Sequence, residues 1–109
     1  MTETEIKVVL QKIVERITER FRPEKIILFG SYARGKQTAD SDADLLIVMN
    51  VTGSKRMTAV EIDLLLVGIP IPTDIIVVTP EEVEIYQDCV GTIIREAIRE
   101  GKVIYERAA

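Results

Sequence analysis

Histidine is absent from the 109-residue sequence and cysteine occurs once, at Cys89. A lone thiol closes no internal disulfide, and without histidine the familiar zinc-site spacings have no ligands, so a zinc enzyme is excluded. With no histidine to activate it, Cys89 reads as a small packing residue rather than a nucleophile. Basic charge is short as well. The 14 Lys and Arg residues stand against 18 Asp and Glu, a net charge of -4 with a pI near 4.9. General nucleic-acid binding needs a positive surface to displace counterions from phosphates, and this balance argues against it. No apolar run approaches the roughly 20 residues of a membrane-spanning helix, and no signal peptide precedes the first helix, so the expectation is a cytoplasmic protein without a membrane partner. Repeats, linkers and low-complexity tracts are missing too. What remains is 47% hydrophobic and 29% charged, the balance of a soluble globular protein. The length predicts a single domain over residues 1–109 that buries roughly two thirds of its unfolded surface.

Apolar residues at Ile6, Val9, Leu10, Ile13, Val14, Ile17 and Phe21 recur at helical spacing, with a Thr2/Glu5 capping box at the start and Pro23 at the stop. The spacing predicts an amphipathic helix over residues 3–21, and its charges, Glu15, Arg16, Glu19 and Arg20, read as a solvated face. Lys25 to Phe29 and Ala43 to Met49 are short β-rich runs that read as buried strands, and Asp74 to Val78 is a third. Residues 54–67 favour a leucine-rich helix ending near Gly68, followed by an extended lead-in through Pro70 and Pro72. Thr79, Pro80 and Glu82 form a second helix-start signature; Gly91 interrupts that helix, Gly101 ends its continuation, and Lys102 to Tyr105 reads as an edge strand. The expected fold is α/β (α+β): a two-layer domain with a small mixed central sheet and helices packed against it.

The chemistry sits in "FGSYARGKQTADSDADLLIV", residues 29–48. Gly30, Gly35 and Lys36 match most of a phosphate-loop pattern, but Gln37 stands where a magnesium-binding hydroxyl belongs and three aspartates follow in place of a helix, so the match is a coincidence. A second reading accounts for more of the segment. Alternate residues of a strand share a face, so Asp42 and Asp44 project side by side, and Asp74 opening an adjacent strand would complete a set of three carboxylates. Such a set repels itself unless cations neutralise it, and magnesium takes oxygen ligands of this kind together with substrate phosphates. Asp40 and Ser41 read as turn residues, and Tyr32, Tyr86 and Tyr105 as packing residues.

"GSYARG", "SDADLLIV" and "DIIVV" together resemble the minimal nucleotidyltransferase domain of the polymerase-beta superfamily, over nearly the whole chain. The resemblance implies a polymerase-beta-like core in which Asp42, Asp44 and Asp74 are catalytic and hold two magnesium ions. It places Gly30, Ser31 and Arg34 on the triphosphate of ATP, with AMP passing to a hydroxyl acceptor. Small relatives of this kind are commonly antitoxins that adenylylate a tyrosine of a HEPN-type ribonuclease toxin, so a HEPN-type toxin is the implied partner and a homo-oligomer is open. The alternative is a non-catalytic binding module that retains the fold. Whichever holds, apolar residues from Leu64 to Val67 or around "GIPIP" are candidate docking surface for the polypeptide that completes the cleft.

Overall fold

The computed structural model describes residues 1–108. The capping box forms as the sequence predicts: the Thr2 hydroxyl accepts from the Glu5 amide at 3.1 Å, and the Glu5 carboxylate accepts from the Thr2 amide at 2.8 Å. Helix α1 runs Glu3–Arg20 and ends on Phe21 as its C-cap. Four strands, β1 (Lys25–Phe29), β2 (Ala43–Val48), β3 (Thr73–Val78) and β4 (Lys102–Glu106), form one sheet in the order β3-β2-β1-β4. β1 is antiparallel to both β2 and β4, whereas β2 and β3 run parallel. A parallel pair needs a crossover connection, and helix α3 (Lys55–Leu65) supplies it. Helices α4 (Pro80–Tyr86) and α5 (Ile93–Glu100) follow β3, each opened by a threonine cap.

One further helix, the single turn α2 (Ser31–Arg34), lies where the sequence shows only a glycine-rich turn. Four residues are too few to display a helical period. Gly35 closes this turn in the left-handed region at φ 68°, which is its reason for being glycine. Gly101 ends α5 as expected, though in an extended conformation: a Cβ there would strike the Ala97 and Leu28 carbonyls and the Ile27 side chain.

The α/β class and the mixed sheet are as the sequence leads one to expect, but the layers number three rather than two. On one face Val9, Ile13 and Ile17 of α1 and Ile62 of α3 bury against Ile26, Leu28, Leu45, Ile47 and Val77. On the other, Ile94 and Ala97 of α5 pack against Ile27, Phe29, Leu46, Val48 and Val78. β1 and β2 are therefore covered on both sides, and their near-continuous apolar runs reflect it. Periodicity identifies the apolar stripe of each helix but not which face of the sheet receives it. Two smaller expectations are also corrected. Cys89 is exposed in the α4–α5 turn rather than packed. Arg16 is not simply solvated, because its guanidinium donates to the Leu65 and Val67 carbonyls at 3.1 and 2.8 Å and so caps the end of α3.

Candidate active site

β2 and β3 pair in register from their first residues, Ala43 opposite Thr73 and Asp44 opposite Asp74. The Ala43 amide donates to the Pro72 carbonyl at 2.8 Å, which pins that register at the strand starts. Because strand residues alternate faces, Asp44 shares a face with Leu46 and Val48, and Asp74 shares it with Ile76 and Val78. Both carboxylates therefore leave the sheet on the α5 side. Parallel strands lie about 4.8 Å apart, so the two acidic residues are direct neighbours. The expectation that the Asp74 strand lies beside the Asp42-x-Asp44 strand is met.

The antiparallel pairing of β1 with β2 sets Phe29 opposite Asp44 and makes the chain turn at Gly30 immediately over that carboxylate. Gly30 adopts φ 74°, and a Cβ there would collide with the Asp44 carboxylate oxygen. Both facts demand glycine, one through backbone conformation and one through space. α2 starts at once, with Gly30 as an N-cap that offers no side-chain hydrogen bond. Ser31 opens this turn and Arg34 ends it, the latter exposed. Upstream of Asp42 the chain is folded into a local turn in which the Thr38 amide donates to the Ser41 hydroxyl at 2.9 Å and the Ser41 amide to the Thr38 carbonyl at 3.1 Å. The turn role read for Ser41 is what the structure shows.

Electrostatically the site is unsatisfied. Burial, then Asp74, Asp42 and Glu96, push the Asp44 carboxyl above its ordinary range, and Arg34 alone opposes them. Glu96, projecting from α5, is an acidic neighbour that the sequence reading missed: nothing in local spacing links it to the Asp42–Asp44 pair. The ion pairs of the described residues, Lys25–Glu106, Lys55–Glu82 and Arg99–Asp88, involve none of the three aspartates. No three acidic side chains among the described residues are drawn together into a ready-made metal cage. Side-by-side, unneutralised carboxylates, one half-buried and two exposed, instead fit a hard divalent cation whose remaining oxygens come from a phosphate ligand or water. Asp42, Asp74 and Arg34 lie exposed, and five hollows of the described surface are lined by none of Asp42, Asp44, Asp74, Gly30, Ser31 or Arg34.

This geometry can be set beside known proteins. The family description "nucleotidyltransferase domain" matches residues 10–105, nearly the full chain. The chain belongs to the nucleotidyltransferase domain family. Among the relatives of this nucleotidyltransferase-family chain are two proteins of Methanocaldococcus jannaschii, each described as a candidate protein adenylyltransferase. One is 44% identical over 46 residues, 42% of this chain and 46% of the relative. The other is 46% identical over 46 residues, 42% of this chain and 47% of the relative. The matched stretch thus spans about half the length of these relatives. Two solved structures share the fold. A candidate nucleotidyltransferase from Sulfolobus solfataricus superposes with a TM-score of 0.66 at 21% identity, covering 95% of this chain and 83% of that one. A toxin–antitoxin structure with AMP-PNP superposes with a TM-score of 0.56 at 19% identity, covering 89% and 73%.

Proposed function

We propose that this chain is a metal-dependent nucleotidyltransferase that moves AMP from ATP to a hydroxyl of a protein acceptor, a tyrosine of a HEPN-type ribonuclease toxin, and that it acts as that toxin's antitoxin. The observation that carries the reading is the register of Asp44 with Asp74 beneath the Gly30 turn, with no cation of the described residues ion-paired to either. Repelling carboxylates at the starts of neighbouring strands are costly unless a cation and its phosphate ligand use them. Asp42, Asp44 and Asp74 hold two magnesium ions in this reading, and when bound these ions supply Lewis-acid neutralisation of the α-phosphate and the departing pyrophosphate. Gly30 admits the triphosphate close to the backbone, the Ser31 hydroxyl donates to a phosphate oxygen, and Arg34 faces the outer phosphates with its planar fork. The acceptor oxygen attacks the α-phosphorus, the bond to the bridging oxygen of the β-phosphate breaks, and Asp74 takes the hydroxyl proton.

A protein acceptor suits a site this exposed, because orienting the two reactants requires a second wall. The relatives described as candidate protein adenylyltransferases and the toxin–antitoxin neighbour with AMP-PNP support the same direction. Incubation with a HEPN-type toxin, ATP and magnesium, followed by intact mass spectrometry of the toxin, is the test. The expected result is an AMP-sized gain that disappears with Asp42→Ala plus Asp44→Ala. Neutralisation of the toxin by that double variant with no mass change would instead assign the chain as a binding antitoxin and overturn the catalytic reading.

A further inference from the structure

The charge of the chain is unevenly laid out. Residues 79–100, which form α4, α5 and the turn between them, hold Glu81, Glu82, Glu84, Asp88, Glu96 and Glu100 against Arg95 and Arg99 alone. That stretch carries a net charge of -4, the same as the whole chain, so everything outside it balances to zero. In α1 the acidic and basic residues are equal in number, and so they are in α3. Within the acidic stretch Glu82 is taken up by Lys55 and Asp88 by Arg99. Glu81, Glu84, Glu96 and Glu100 are exposed and have no ion-pair partner among the described residues.

α5 brings part of this charge to the site. It packs through Ile94 and Ala97 on the sheet face from which Asp44 and Asp74 project. Helical spacing sets Ile93, Glu96 and Glu100 on one flank, while Arg95 lies on the other and Arg99 is turned to Asp88 at 3.7 Å. The flank of Glu96 is the one that meets the carboxylates, because Glu96 is among the charges acting on Asp44. Ile93 adds an apolar side chain that is 50% exposed. ATP does not explain these groups: it is a polyanion, and carboxylates beyond those that hold metal oppose its approach. A nucleic-acid acceptor would meet the same repulsion. A cationic reactant gains from them, and the reactant that remains is the acceptor. The apolar residues from Leu64 to Val67 lie instead in the layer of α1 and α3, across the sheet from Asp44 and Asp74, which corrects the expectation that they complete the cleft.

We propose that this flank of α5 is the wall on which the acceptor docks, with Glu96 and Glu100 pairing to lysine or arginine side chains around the acceptor's hydroxyl and Ile93 giving apolar contact. The inference rests on the catalytic reading and names the chemistry of its second reactant, a basic protein segment. Two synthetic peptides serve as probes: a tyrosine flanked on each side by two arginines, and the same peptide with glutamates in their place. With the full chain, ATP and magnesium, kcat/KM for AMP transfer should favour the arginine peptide about tenfold or more, mainly through KM, and the preference should shrink as salt is raised. Glu96→Gln with Glu100→Gln should raise the KM for the arginine peptide about fivefold, the effect of losing two exposed ion pairs. Glu15→Gln with Glu19→Gln, which removes the same charge from the exposed side of α1, should leave that KM unchanged. Binding of the same peptides, labelled and read by fluorescence anisotropy with magnesium and an ATP analogue bridged by methylene between its α- and β-phosphates, separates the wall from the chemistry. Selective binding without transfer would overturn the catalytic reading and support the wall. Equal use of the two peptides, a KM that the α1 variant raises as much as the α5 variant, an arginine peptide that neither binds nor accepts AMP, or preferred transfer to the 3′ hydroxyl of a single-stranded RNA would each overturn the proposal.

Discussion

Asp44 carries a carboxylate that its own fold opposes. Burial and the charges of Asp74, Asp42 and Glu96 raise its titration, so ionisation is less favourable in the folded chain than in the unfolded one. The sign of the linkage follows: its contribution to stability is complete below the unfolded titration and is lost as pH rises through the folded one. At neutral pH without metal, Asp44 is therefore a destabilising residue, retained at a position whose neighbours only worsen the repulsion. Asp44→Asn removes the charge at nearly constant volume. In chelator at neutral pH the variant should melt above wild type, by a margin kept small by solvent screening at this half-exposed position. The gap should close in acid, and magnesium with ATP should raise the melting of wild type only. A variant that melts below wild type in chelator at neutral pH would sink the account. The three aspartates were legible in the sequence because strand alternation and the position of Asp74 at a strand start are local facts. Glu96 was not, because its approach depends on how α5 lies across the sheet.

At the scale of elements, caps decide more than cores for the smallest pieces. α4 fully buries none of its residues and meets the α5-side core through half-buried Val83, so its place leans on its first turn. The Thr79 hydroxyl accepts from the Glu82 amide at 3.2 Å, and the Glu82 carboxylate accepts from the Thr79 amide at 2.9 Å. The same carboxylate accepts from Lys55 at 2.6 Å, tying the start of α4 to the start of α3. These contacts hold the Glu82 carboxyl below its ordinary range, with Lys55 the leading cause. Thr79→Ala should cost about 1 kcal/mol. That is roughly 4–8 °C in Tm. Amide exchange should quicken in α4 ahead of the sheet; an unchanged melt, or exchange that quickens uniformly, would show that packing rather than the cap holds this helix. Both capping boxes could be read from sequence because they are patterns of four residues. α2 could not, although it shapes the site, because one turn after a positive-φ glycine has no period to detect. The third layer was hidden for a different reason: α5 contributes a short apolar stripe whose destination only the topology reveals.

Across the whole molecule, a single sheet separates two tasks. The layer of α1 and α3 covers the larger core and leaves an apolar stripe of α3 exposed, while the carboxylates of β2 and β3 face the layer of α5. β1 and β2 are buried on both sides and form a stiff partition between them. The two faces should therefore respond separately to substitution. Leu64→Glu, on the exposed stripe of α3, should bind ATP with magnesium within about twofold of wild-type affinity. Its effect on stability should add to that of Asp44→Asn within about 0.3–0.5 kcal/mol, as expected for sites that share no partners. Calorimetric titration of ATP into the Leu64→Glu protein, alongside melts of the single and double variants, measures both. A loss of ATP affinity in Leu64→Glu, or a double variant whose stability departs from the sum, would mean that the two faces are coupled. The sheet would then join them rather than separate them.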